Sequence, residues 1–142
     1  MNSSLEGDVE SISLMSCLNG QRIPSDVQDF MDKITISSDK VLAIIKDCME
    51  YVKKGGLAPI ELAVRYIKDI EEPEHQYIRV LFVLPIKSIK DALKMQTRFY
   101  NEAYREILRE HLGEKSKDLD VFRRRVKIIF DIPEMWAFLD RH

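Results

Sequence analysis

Three histidines, two cysteines and two dense groups of charge are the residues of this 142-residue chain whose types could do chemistry. His75, His111 and His142 are not spaced to share a helix face, and there is no HExxH, no CxxC and no glycine-rich phosphate loop. Cys17 and Cys48 form no pairing framework, which points to a reducing, intracellular compartment. Cys48 falls on an apolar stripe with Val41, Ile44, Ile45, Met49 and Val52, where a free cysteine acts as a small core residue rather than a nucleophile. His111 precedes Gly113 at an expected helix end and reads as a cation complementing the helix dipole, not as a base. Glu71, Glu72 and Glu74 stand at an expected helix start, where acids are favoured for electrostatic reasons rather than for acid/base catalysis. No set of residues converges on a reaction, so the chain reads as a non-enzyme with no metal or cofactor.

The remaining group is "FRRRVK", which supplies Arg123, Arg124, Arg125 and Lys127. With Phe122, Val126 and Ile129 turned to a core, the arginines must spread over the rest of a helix. Two readings stay open. One is a solvated face; the other is an anion-binding edge, because the planar fork of arginine matches phosphate. Glu102, Glu106, Arg105 and Arg109 read as a solvated helix face.

The bulk numbers bound the ligand. A net charge of -2 argues against broad, sequence-independent nucleic-acid binding, which needs a basic face, so nucleic acid is not expected as the main ligand. Hydrophobic residues at 45% and charged residues at 32% describe an ordinary globular chain, of a length that suits one domain. The N-terminus lacks a basic n-region and a long apolar run, and no stretch approaches the ~20 apolar residues of a membrane helix.

The elements that would position these residues all read as helical. Residues 1–22 are rich in Ser, Asn, Gly and acids and are expected to be a flexible tail with one apolar knot, "ISLMSCL". From residue 23 to 142 a single domain is expected. Its helices begin near Ser25, near Ser37 or Ser38, at Pro59 with Ile60, Ala63, Val64, Ile67 and Ile70, and at Pro73. Further helices cover "RFYNEAYREILREHLG", a segment from Asp118 through Ile129 and Phe130, and "PEMWAFLD". The apolar run "YIRVLFVLP" has strand-like composition, but no partner strand is evident, so it reads as a buried central helix kinked at Pro85. The expected fold is all-α, with about seven short helices packed around the buried central helix.

This helix order resembles the CTD-interacting domain (RPR) family, right-handed superhelices of about eight helices related in architecture to VHS and ENTH domains. For this chain the resemblance implies an all-α right-handed superhelix of about seven or eight short helices. The stretches that carry the resemblance are "SSDKVLAIIKDCMEYV", "PIELAVRYIKDI", "FVLPIKSIKDALKMQTRF" and "FRRRVKIIFDIPEMWAFL". The resemblance implies a nuclear protein-interaction module for the phosphorylated C-terminal repeats of RNA polymerase II. It also implies a peptide groove lined by Lys87, Lys90, Arg123, Arg124 and Arg125. At Lys87 the family places an aspartate that accepts a hydrogen bond from the repeat's tyrosine. Lysine has no acceptor, so a different acidic or phosphorylated peptide is expected. The alternatives are a VHS/ENTH-like trafficking adaptor and a helical subunit of a larger complex with no groove.

Overall fold

Ser37 opens the longest helix by accepting a hydrogen bond on its Oγ from the backbone N–H of Lys40 at 3.3 Å. That helix, α2 (Ser38–Lys54), follows a shorter one, α1 (Ser25–Lys33), and is ended by Gly55 and by Gly56 at φ 86°. The computed structural model describes residues 23–68, 71–72 and 75–134. The expected tail, the "ISLMSCL" knot, His142 and most of "PEMWAFLD" lie outside these residues. After α2 come strands β1 (Glu61–Lys68) and β2 (Gln76–Val83). A long helical stretch follows, made of α3 (Ile89–Phe99), a π-helical turn (Tyr100–Tyr104) and α4 (Arg105–Leu112). Helix α5 (Lys117–Arg125) then runs directly into β3 (Val126–Asp131). Ser88 and Ser116 cap α3 and α5 through the N–H groups of Asp91 and Leu119.

The all-α expectation is therefore overturned. The three strands form one sheet in the order β1-β2-β3, antiparallel between β1 and β2 and parallel between β2 and β3. "YIRVLFV" is the central strand, not a central helix. Pro85 follows its end rather than kinking a helix, in keeping with a residue that cannot donate to a ladder. The two partner strands of β2 lie in segments whose spacing also fits a helix. In "ELAVRYIK" the apolar residues Ala63, Val64 and Ile67 fit a helical period, yet Val64 and Tyr66 flank the core while Ala63, Arg65 and Ile67 take the other face. In "VKIIFD" the Ile128–Ile129 doublet fits both periods. The structure uses period two, burying Val126, Ile128 and Phe130.

One face of the sheet and all five described helices share a core. Leu62, Ile78, Val80, Phe82, Val126, Ile128 and Phe130 meet buried residues of every helix there, including Phe30, Ile44, Cys48, Phe99, Leu108 and Phe122. Cys48 is fully buried, as its stripe implies, and burial pushes its thiol well above the usual range with Asp47 adding to the effect. Phe99 joins the layers, with its ring 5.5 Å from Tyr51, 5.2 Å from Tyr100, 5.8 Å from Tyr104 and 5.2 Å from Phe130.

Strand β3 is an edge, and α3 closes it. The Phe130 N–H donates to Gln96 Oε1 at 3.0 Å, and Tyr100 donates its hydroxyl to the Ile128 carbonyl at 2.8 Å. These two side chains satisfy backbone groups that an open edge would leave to another chain. Replacing Gln96 by Leu leaves the Phe130 N–H without its acceptor and is expected to cost about 1–3 kcal/mol. Phe99→Ala is expected to cost more, about 3–5 kcal/mol. Urea unfolding at constant m-value checks both, and a Gln96→Leu variant as stable as the parent would show that the edge contact contributes nothing.

Candidate anion-binding site

Arg105 and Arg109 lie one turn apart on α4, so their side chains leave the same face of the helix. Gly113, at φ 85°, takes the left-handed conformation that ends α4 and turns the chain. Glu114 and Lys115 follow. Ser116 then bonds the Leu112 carbonyl at 2.5 Å and caps α5 through Leu119, which fixes the corner between the helices. The last turn of α5 carries Arg123, where a cation complements the helix C-terminus. Arg105, Arg109, Gly113, Glu114, Lys115, Leu119 and Arg123 line a cleft of about 350 Å³ with buried Leu119 among them.

Four cations and one carboxylate thus line one depression. Arg109 is already engaged, donating to both Glu106 and Glu114. The Glu106 carboxyl is held below the usual range by its hydrogen bond from Arg109. Among the described residues, Arg105, Lys115 and Arg123 make no ion pair within 4 Å. The cleft therefore holds three uncommitted cations beside one that its neighbours lock in place, an arrangement suited to an incoming anion.

Next to it sit two tyrosines whose hydroxyls burial pushes upward, Tyr100 and Tyr104. For Tyr104 the neighbouring Tyr100 adds to the rise and Arg123 opposes it. The lining is rich in cations, so the cleft can hold an anion.

The residues expected from sequence do not come together. Arg123 is in the cleft. Arg124 is exposed outside its lining, and Arg125 is half-buried and donates to the Gln76 carbonyl at 3.0 Å, tying α5 to β2. Lys87 and Lys90 belong elsewhere. Val126 pairs with Ile78, and Val83, from which the chain departs toward Lys87, lies five residues further along β2, about 17 Å at the rise of a strand. The arginine run and the two lysines leave opposite ends of the central strand, so a single groove along a central helix does not exist. Lys90 instead borders an open groove on α3 with Ile89, Leu93, Lys94, Thr97 and Arg98. Ile89 and Leu93 are 47% and 56% exposed there.

Arg105, Arg109 and Lys115 went unrecognised because alternating charges on a helix ordinarily face water. The signal available was the i, i+4 arginine pair ahead of Gly113, and it becomes informative only once α5 is known to fold back. His111 does lie in the last turn of α4, but its Nε2 is 2.6 Å from Asp47 Oδ2 on α2. Asp47, Glu110 and His111 each bring one ligand atom within 4.8 Å of the others, and they form the described cluster that could hold a divalent cation. The close Asp47–His111 contact already acts as a tie between α2 and α4.

Comparison with protein families, curated proteins and solved structures returns no match in any of the three. No described helix is long and apolar enough to cross a membrane.

The tyrosine pair gives a pH prediction. Raised phenol pKa values mean that both hydroxyls stay protonated in the folded state after the unfolded chain has begun to ionise. Their contribution is full below about pH 10, the unfolded tyrosine value, and falls as pH rises above it. Denaturation midpoints measured from pH 9 to 11.5 are expected to drop above about pH 10, less steeply in Tyr104→Phe. An identical slope in the variant would remove Tyr104 as a cause.

Proposed function

We propose that this chain is a non-enzymatic interaction module that binds an extended acidic or phosphorylated peptide through the α4–α5 cleft. The observation that carries this reading is the set Arg105, Lys115 and Arg123, uncommitted cations around one depression on a chain of net charge -2. Arginine forks recognise phosphate and carboxylate in two-point fashion, and Arg109, braced by Glu106 and Glu114, holds the cleft's shape. The cleft's size suits one phosphorylated side chain and its neighbours, with the rest of the peptide running over the surface. The phosphorylated repeats of RNA polymerase II are one such peptide, and a nuclear location goes with that version. Lys87 and Lys90 lie outside the lining of this cleft.

A second reading draws on a different observation. The exposed Ile89 and Leu93 beside Lys90, Lys94 and Arg98 favour a contact with an acidic amphipathic partner, as in a subunit of a larger complex. In that case the chain alone is expected to self-associate or bind weakly to surfaces, and Leu93→Ser relieves it.

Titration of fluorescent heptad-repeat peptides, unmodified and phosphorylated, and of an unrelated phosphopeptide tests the first reading. Binding of a phosphorylated peptide is expected to weaken at least tenfold in Arg105→Gln and in Arg123→Gln, about 1.4 kcal/mol each, with Lys87→Gln unchanged. No binding of any of them at about 1 mM would end the proposal.

A further inference from the structure

The sheet has a second face, away from the shared core, and its register lines up like charges. Arg65 of β1 pairs with Arg79 of β2, and Arg79 pairs with Lys127 of β3. Residues paired across neighbouring strands point to the same side. Three cations therefore stand in one row across all three strands, about 10 Å from end to end at the usual strand spacing. Like charges directly opposite one another are unfavourable, and a folded chain ordinarily avoids them or interleaves acids.

The rows beside this one do not neutralise it. Along the strands in one direction comes the apolar row Ala63, Leu81 and Ile129, and only then Glu61, Val83 and Asp131. The acids of this face thus stand four residues away, about 13 Å along the strand. In the other direction lie Ile67 and Tyr77. Leu81 and Val83 are buried, but at the charged row Arg65 and Lys127 are exposed and Arg79 is half-buried.

A separate observation marks the middle of the row. Arg79 Nε is the one described buried side-chain nitrogen or oxygen without a hydrogen-bond partner. Arg65 has partners within the chain, so the row's unmet demand rests on Arg79 and Lys127. A guanidinium N–H that has lost water and gained no acceptor is costly to keep, and an oxyanion on the accessible part of the half-buried Arg79 side chain would offset that cost by pairing with its charge.

We infer that the Arg65–Arg79–Lys127 row is a binding site for an oligophosphate anion. Phosphate is favoured over a lone carboxylate because Arg79 and Lys127, opposite one another, present several N–H donors, and the Arg79 guanidinium is a planar fork that matches phosphate oxygens. The phosphates could come from a free oligophosphate or nucleotide, or from the backbone of a single-stranded nucleic acid. In the latter case Tyr77, one row away on the same face, offers a ring against a base. This site is independent of the α4–α5 cleft, which lies among the helices on the other side of the sheet.

Calorimetric titration of the full chain with sodium triphosphate at low salt tests it. Binding is expected, weakened at least tenfold in Arg79→Gln and measurably in Lys127→Gln, and unchanged in Arg105→Gln. Lys127 is exposed, so that variant keeps the test valid if Arg79→Gln fails to fold. A parallel titration with a 12-nucleotide oligouridylate separates the sources. Tighter binding than triphosphate, with a log–log salt slope that falls by about 1 in Lys127→Gln, identifies a nucleic-acid backbone. Triphosphate binding alone identifies a free oligophosphate. Absence of triphosphate binding at about 1 mM overturns the inference. So does binding that survives both Arg79→Gln and Lys127→Gln.

Discussion

Strand β2 must satisfy its backbone on both sides, and the rest of the molecule follows from how it does so. Its seven residues from Tyr77 to Val83 include six apolar ones, and from Val80 to Val83 every residue is buried. A strand so placed has no water to pair with, so it needs a neighbour on each edge. On one side β1 folds back antiparallel through a short connection. On the other side β3 runs parallel, which a short turn cannot achieve. The crossover is the whole stretch from Ile89 to Arg125, and with α1 and α2 its helices cover the shared core, while it alone caps the β3 edge and carries the cationic cleft.

The charges follow the same topology. Returning the chain to the start of β3 ends α5 near the start of β2, where Arg125 bonds the Gln76 carbonyl. The arginine run therefore divides. Arg125 holds the sheet, Arg124 faces solvent, and Arg123 turns toward α4 to meet Arg105 and Arg109. Cation density in the fold is thus set by which elements are forced together, and a net charge of -2 says nothing about it.

The same register that buries Ile78, Val80 and Phe82 on one face puts Arg79 on the other. Strand side chains alternate, so a central strand sealed on its core face still chooses what its second face shows. At Arg79 that choice aligns it with Arg65 and Lys127, the least favourable neighbours the register offers. Its cost is carried by a fold stable for other reasons: the Phe99 ring cluster and the buried apolar side chains of five helices.

Read alone, the chain determined the parts that local physics decides. The apolar stripe of α2 with its Ser37 cap and glycine stop, the core place of Cys48, the helical character from Phe99 to Leu112 and the absence of a long apolar span all follow from spacing and composition. Strands β1 and β3 were hidden for a specific reason. Eight residues of "ELAVRYIK" and six of "VKIIFD" fit a helical period as well as an alternating one, and nothing local separates them. Only pairing decides, because a backbone ladder between residues far apart in sequence is a tertiary fact. The candidate sites were hidden for the same reason. Arg105 meets Arg123 only once α5 folds back on α4, Arg65 meets Arg79 only once β1 pairs with β2, and Lys127 joins them only after the crossover has brought β3 alongside β2.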